Sequence, residues 1–576
     1  MNETLRYIFA GVLIFLIILL QPIYLDWLGY TAPLESSVET DLASSPKTNT
    51  INSNNNNFTQ LKKVDHVNEK NEKFVTISTP MYIATISNRS GGSFVQYILK
   101  SSKQNQKYMG GYDDYGNYSK EQSVSLILPS DLSCTPCIAS YDQQKNEYLY
   151  INNFFKLLNF TNTDTLFIES GQELELNYEL ISNDGSIINK TVSFNGNNYI
   201  TNHVYSLTNT NIDLPGSLEL MWRGGLRPAE ESPEEEIQYS SGIMGQANEI
   251  DDISLSTGDQ SIKREIYRGQ TDWVAVRSKY FISAVLVDVP GSFATLSAEN
   301  ISFGQRKHTP SYNASIGYQY DLNSIVSRIY LGPLDVDHLS LAGSNIDETM
   351  DWGYSIIRPI SKGILWVLKF IHTTFNLNYG FVLLIFAFLV RLITGPLTKK
   401  SFESSQNMQK IQPELKKVQS KYKGDPQGLN RETMALYKKH SVNPLGGCLP
   451  IVLQMPLLFA LFIVFRTTIE FRGAPFILWI TDLSRPDIVF NLPFSIPIYG
   501  SGVAVLPLIM GATLILTMNM NSANMDSSQK PVMYFMNIFF VLLFNTFPSG
   551  LNLYYTTYNV LSFFQQRSIK SKLQKA

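Results

Sequence analysis

YGFVLLIFAFLVRLITGPL, residues 379 to 397, is an apolar run broken by a single charge, Arg391. Its length matches the ~20 residues a helix needs to cross a bilayer. Arg391 stands twelve residues from Tyr379, hence ~18 Å into the span at 1.5 Å per residue. A charge at that depth costs roughly 2.5–3.5 kcal/mol on insertion scales, so its presence calls for a reason. At 100° per residue Gly380, Leu384, Ala387, Arg391, Thr394, Gly395 and Thr398 share one face, mostly small and polar around the charge. Val382, Phe386, Leu389 and Ile393 lie opposite, on a face suited to lipid or packing. Two readings of Arg391 stand side by side. Its head leans towards the interface at Lys399, or it sits in a solvated cavity within the membrane. We favour the cavity.

Four further apolar runs follow: Leu449–Phe465, Tyr499–Met518, Val532–Phe547 and Leu551–Phe564. In the last, Asn552, Thr556, Asn559 and Gln566 form a stripe, with Tyr555 and Ser562 beside it. Polar groups on a spanning helix need partners, from other helices or from water. Gln454, Thr513, Thr517, Asn537 and Asn545 add polar atoms in the intervening runs. With Arg391 they point to a wet groove. Ahead of the first run, Ile357–Phe375 mixes cations with apolar residues at helical spacing and reads as an amphipathic helix on the membrane surface.

Residues 399–440 carry ten Lys/Arg against four acids, a net +6, and among the cations are Lys416, Lys417, Lys421, Lys423 and Arg431. Met408, Ile411, Leu415, Val418 and Tyr422 recur at helical steps. Gly424-Asp425-Pro426 breaks that helix, and a second runs from about Leu429 to Lys439. A basic helical hairpin, paired through its apolar faces, is expected. The positive-inside rule puts this hairpin and the basic tail, residues 568–576, in the cytoplasm.

Near the start, residues 1–30 hold a further apolar run, read as an uncleaved anchor with Trp27 and Tyr30 at the interface. Six spans place both termini in the cytoplasm. Residues 31–72 are Ser/Thr/Asn-rich and read as a flexible linker. Residues 73–341 show short alternating runs, among them Phe74–Ser78, Ser93–Leu99, Tyr148–Ile151, Tyr199–Leu207, Tyr280–Val289 and Ile325–Leu331, and read as an extracytoplasmic all-β sandwich. The stretch Glu230–Glu236 reads as a solvated acidic loop. Cys134 and Cys137 form a Cys-Thr-Pro-Cys without the partners of a zinc site; a structural disulfide is favoured, free thiols being the alternative. No phosphate loop, His-Glu-x-x-His or Gly-x-Ser-x-Gly occurs. We expect no enzyme, no cofactor and no metal.

Phe388-Leu389-Val390-Arg391 with Pro396-Leu397-Thr398-Lys399, Val442 to Pro450 followed by Gln454-Met455-Pro456, Ala474-Pro475-Phe476 with Leu478-Trp479-Ile480, and Phe547-Pro548-Ser549-Gly550-Leu551 resemble the YidC/Oxa/Alb family of membrane protein insertases. The blocks cover residues 354–566. Lys279-Tyr280-Phe281 and Tyr330-Leu331-Gly332-Pro333 are similar to landmarks of its Gram-negative form, which implies a periplasmic β-sandwich joined to an insertase core over residues 350–567. Ala387 stands where some members carry a polar residue, and the tail after Arg567 is short.

The resemblance implies an inner-membrane insertase and chaperone working alone or with the Sec translocon. Its hydrophilic groove would be carried by Arg391, Thr394, Gln454, Thr517, Asn552, Tyr554, Tyr555, Thr556 and Asn559. Nascent membrane proteins would be the substrates, with the lipid bilayer and, at the hairpin, the ribosome as further partners; no sequence-specific nucleic acid is implied. Two rivals are a solute path through the Arg391 groove and a sensor built on the β domain. The five core runs show no internal repeat of the kind many transporters have.

Overall fold

The computed structural model describes residues 71–575 apart from 101–107, 130–133, 161–164, 183–184, 209–213, 248, 257–261, 305, 320–322, 423, 441, 443–448, 497 and 523–529. The expected anchor and almost all of the linker lie outside the described residues. Two compact units divide at Met350/Asp351.

In the first unit alternation builds sheets. Glu173–Ile181 pairs antiparallel with Ile187–Asn195, and inward positions such as Leu176, Tyr178, Val192 and Phe194 are buried while their neighbours are not. The larger sheet runs in the order 147–150, 137–142, 218–222, 306–318, 281–303, 324–333, 200–208, 187–195, 173–181, 156–157. A four-stranded sheet orders 93–99, 82–87, 74–78, 166–167. Phe94 of the small sheet meets Phe194 edge-on at 6.5 Å and Trp222 at 6.4 Å on the large one, so the sheets share a core as a sandwich does. The expected strand at Tyr280–Val289 continues to Phe303 as one 23-residue strand. Cys134 and Cys137, both buried, are joined in a disulfide.

The acidic stretch differs from its sequence reading. Ser232 caps a short helix, Pro233–Tyr239 (α1), by accepting from the Glu235 amide at 3.3 Å. The turn of helix carries Glu236 into the interior, where its carboxylate accepts from the amides of Ala229 and Glu230. Glu230 and Glu236 are both buried, and Glu235 forms an ion pair with Lys279 at 3.0 Å. A second short helix, Val336–Ala342 (α2), follows the last strand of this unit.

The second unit is helical: Arg358–Phe375 (α3), Tyr379–Lys421 (α4), Pro426–Lys439 (α5), Leu449–Thr467 (α6), Val505–Ser522 (α7), Lys530–Phe544 (α8) and Ser549–Lys575 (α9). Helix α3 buries Ile364, Leu365, Leu368 and Ile371 and leaves Trp366 and Phe370 exposed, stacked at 5.6 Å. The first apolar run and the first arm of the basic hairpin are one helix of 43 residues, with no break at Lys399. Asp425 caps α5, and the arms meet where the His440 ring pairs with Glu414 at 3.2 Å. Along the first arm Ile411 is buried and Leu415, Val418 and Tyr422 half-buried, as an antiparallel pairing requires.

The run expected at Tyr499–Met518 starts later than its composition suggests. Gly500–Ala504 is a strand, too rich in glycine to favour a helix, and it pairs with Ile488–Ile496. The Asp487 carboxylate accepts from the Val505 and Leu506 amides, which starts α7 there. The basic tail is no separate element, since α9 runs through it to Lys575. Among the described residues one stretch, Tyr379–Ser401, is by itself long and apolar enough to cross a bilayer. Gln454–Thr467, Val505–Thr517 and Tyr534–Phe544 are shorter apolar stretches, so a count of six spans goes beyond what these helices display.

Burial, reinforced by Glu230, pushes the Glu236 carboxyl up from 4.5 to about 7. A carboxyl raised on folding favours the protonated native state. Its contribution is therefore full below pH 4.5 and is lost as pH rises through about 7, by up to about 3 kcal/mol. Thermal melts followed by β-sheet circular dichroism are expected to show a midpoint that falls over this window. Glu236→Gln is expected to flatten that dependence.

Candidate functional site

Asn378 opens α4 by accepting from the Gly380 amide, and its own amide donates to the Pro475 carbonyl at 2.8 Å. Position 380 has to be glycine, because a Cβ there would stand 1.9 Å from the Phe476 ring. The Ala474–Asp487 loop also receives the start of α9: the Ser549 hydroxyl donates to the Asp482 carbonyl at 2.8 Å and the Gly550 amide to the Leu483 carbonyl at 2.9 Å. These bonds hold α4 and α9 side by side.

Three turns along α4, Arg391 is buried, 7% exposed. One Nη donates to the Tyr558 hydroxyl at 3.2 Å and lies 3.5 Å from the Thr398 hydroxyl, and the guanidinium sits 5.2 Å over the Tyr558 ring. The Nε and the other Nη have no hydrogen-bond partner among the described residues. Arg391 thus has its head towards Thr398 and lines an open pocket of about 500 Å³ with Phe388, Leu392, Lys399, Leu561 and Gln565. The walls are largely apolar and the cations stand at Arg391 and Lys399. Thr394 donates to the Val390 carbonyl and has the Tyr558 hydroxyl at 3.4 Å.

Tyr558 was missed by the sequence reading, which followed amides and hydroxyls one stripe away. Tyr554 lies four residues before it and Gln565 seven after, so an aromatic-polar face was there to be found. That face lies about 150° round α9 from the Asn552, Thr556 and Asn559 stripe. Helix α9 packs on both α4 and α7, with Arg391 on the Tyr554/Tyr558 side.

Asn552 is fully buried and its amide donates to the Phe544 and Phe547 carbonyls, so it closes the end of α8. Tyr554 is buried against Phe386 at 5.8 Å and Tyr558 at 6.0 Å, and Tyr555 lies beside Phe544 at 5.7 Å. The Tyr554, Tyr555 and Thr556 hydroxyls, the Asn559 amide nitrogen and the Gln566 carbonyl oxygen have no hydrogen-bond partner among the described residues. Thr517 bonds within its own helix, to the Thr513 and Leu514 carbonyls. Gln454 is half-buried on α6, with no hydrogen bond to Arg391. The site brings together Arg391, Thr394, Tyr554 and Tyr558; Gln454 and Thr517 stand apart from that group. On the hairpin Lys416, Lys417, Lys421 and Arg431 are exposed, and Lys423 lies outside the described residues.

The chain thus joins a β-sheet unit to a helical unit that holds a buried arginine on a helix long and apolar enough to cross a bilayer. A family model described as 60Kd inner membrane protein matches residues 370–576, and one described as YidC periplasmic domain matches residues 156–367. The chain is 32% identical over 521 residues to a membrane protein insertase YidC of Chlorobium limicola, covering 87% of this chain and 83% of that protein. It is 37% identical over 430 residues to the YidC of Chlorobium phaeovibrioides, 72% of each. A crystal structure of an active YidC insertase aligns over 86% of this chain and 93% of its own at 16% identity, with a TM-score of 0.33. The chain belongs to the YidC family of membrane protein insertases.

Tyr558→Phe removes the acceptor of the Arg391 hydrogen bond and keeps the ring, whereas Tyr558→Ala removes both. A hydrogen bond to a charged group contributes about 1.5–3 kcal/mol. Thermal unfolding of the full chain in detergent is expected to show a drop for Tyr558→Phe and a larger one for Tyr558→Ala.

Proposed function

We propose that this chain inserts and helps fold inner-membrane proteins, alone or with the Sec translocon, through a hydrophilic groove that presents Arg391. The observation that carries the reading is a buried guanidinium with two nitrogens unpaired among the described residues. In a low-dielectric bundle such donors favour an incoming acceptor, and a carboxylate most of all. A substrate's acidic or polar flank entering the groove would exchange water for Arg391, and for hydroxyls such as those of Tyr554 and Tyr555. That exchange lowers the flank's desolvation cost while the neighbouring apolar segment slides between helices into lipid. The flank then leaves on the far side.

The exposed cations of the hairpin fit a receiving surface for nascent chains or the ribosome. Charge bias supports cytoplasmic placement of that hairpin and of the C-terminal tail, and a count of six spans would then put the N-terminus in the cytoplasm and the β domain in the periplasm. The groove requires no cofactor and performs no covalent step.

The test is insertion of a short single-span protein into liposomes containing only this protein, read by protease protection. Protection above that of empty liposomes is expected. Arg391→Ala is expected to lower it roughly tenfold for a substrate with an acidic flank, the scale of one charged hydrogen bond. Arg391→Lys should retain most of it, since the charge matters more than the fork geometry. Deleting residues 73–341 should leave most insertion in place. Equal protection by wild type and Arg391→Ala on every substrate would remove the electrostatic role.

A further inference from the structure

Between Asp487 and α7 the chain forms an antiparallel hairpin, Ile488–Ile496 with Gly500–Ala504. Its first strand carries Ile488, Val489, Phe490 and Phe494, all exposed, with Phe490 at 56% and Phe494 at 60%. The second strand reads Gly-Ser-Gly-Val-Ala, whose side chains are too small to cover them. Val489 and Phe490 are neighbours, so apolar side chains project from both faces. A sheet facing water on one side would alternate. A lone two-stranded hairpin is also marginal in water.

This hairpin is nevertheless firmly seated. The Asn545 amide of the α8–α9 turn donates to the Tyr499 and Gly502 carbonyls, both at 2.7 Å, and its oxygen accepts from the Ala504 amide. Asp487 binds the first amides of α7 and also accepts from the Trp479 indole at 2.9 Å. The hairpin therefore sits at one end of an apolar helix, beside an indole of the kind that marks membrane interfaces. Leu478 next to that indole is 82% exposed. No Asp, Glu, Lys or Arg occurs from Ile488 to Met525, so apolar sequence continues from hairpin into helix.

We propose that the 488–504 hairpin is an interfacial anchor that lies in the lipid surface, with Phe490 and Phe494 among the upper acyl chains. Phospholipid is the partner it fits, because apolar groups project from both faces and the exposed polar side chains, Asn491, Ser495 and Ser501, carry no charge with which to orient a protein ligand. Depth is limited by the backbone: Asn545 serves the outer edge of Gly500–Ala504, whereas the outer edge of Ile488–Ile496 has no strand beside it among the described residues, and its amides and carbonyls need water or headgroups. The anchor is shallow. It would fix the height of the Ala474–Asp487 loop relative to the bilayer, and it does not depend on the insertase reading.

The test places a diazirine-bearing residue at 494, or at 490, in the full chain reconstituted into phosphatidylethanolamine/phosphatidylglycerol vesicles. Tyr115, exposed on the β domain, serves as the control position. After illumination, phospholipid adducts at 494 are expected to exceed those at 115 by about tenfold or more, the ratio that burying one phenylalanine supplies. Water adducts at both 490 and 494, at the level of 115, would overturn the proposal. So would protein adducts replacing phospholipid adducts in native membranes.

Discussion

Asp487 and Asn545 hold one end of the helical unit together, and the rest of that unit depends on how they do it. One Asp487 carboxylate oxygen accepts from the Val505 and Leu506 amides that α7 leaves open at its start and from the Trp479 indole, and the Asn545 amide binds the backbone of Tyr499, Gly502 and Ala504 in the β-hairpin before that helix. In lipid those groups have no water to fall back on. The Asp487 carboxylate also sits where the helix dipole of α7 favours negative charge. With Ser549 and Asn378 bonded to the same loop, the starts of α4, α7 and α9 are tied to one short segment. Helices pinned at one end keep their rotational setting further along, and that setting brings Arg391 to Tyr558.

The buried charge is the feature such precision serves. A guanidinium inside an apolar bundle is tolerable only if its five donors find partners. Here they are partly met, by Tyr558 and by the approach to Thr398. The lean towards Thr398 shortens the distance to the cationic end of α4, and the helix runs on through Pro396, past Lys399 and through Pro413 in the first arm of the hairpin. One helix thus carries both the buried guanidinium and the exposed cations Lys410, Lys416, Lys417 and Lys421.

Periodicity made part of this legible beforehand. Phe74–Ser78 and Ser93–Leu99 were readable because alternate residues face a core. The stripe from Ile411 to Tyr422 was equally plain. Composition misled where a long-range partner decides the outcome. Glu236 reads as solvent-facing until Ser232 starts a helix that turns it inward. The stretch from Gly500 to Ala504 reads as the head of a span until Ile488–Ile496 claims its backbone. Tyr558 was invisible to a search for amides because its role is set by a residue 167 positions away. Local pattern shows which face is buried; what lies across from it comes from tertiary structure.

The separation of Arg391 from the Asn552 stripe bears on how a groove could work. A single polar track containing both would hold a substrate flank against one face of α9. Instead α9 presents Tyr554 and Tyr558 to α4, with Asn559 and Thr556 round the other side of the same helix. Two kinds of polar surface are therefore carried by one rod packed between α4 and α7. Each buried hydroxyl or amide without a partner costs about 1–3 kcal/mol in a dry interior. Hydroxyls of Tyr554, Tyr555 and Thr556 and the Asn559 amide together make a dry bundle expensive and a wetted or substrate-filled one favourable. A flank entering at Arg391 would gain a charge-assisted bond first and weaker neutral ones as it moved round α9. Strong contact at Arg391 and weaker contacts round α9 would allow capture without trapping, as the proposed release of a substrate into lipid requires.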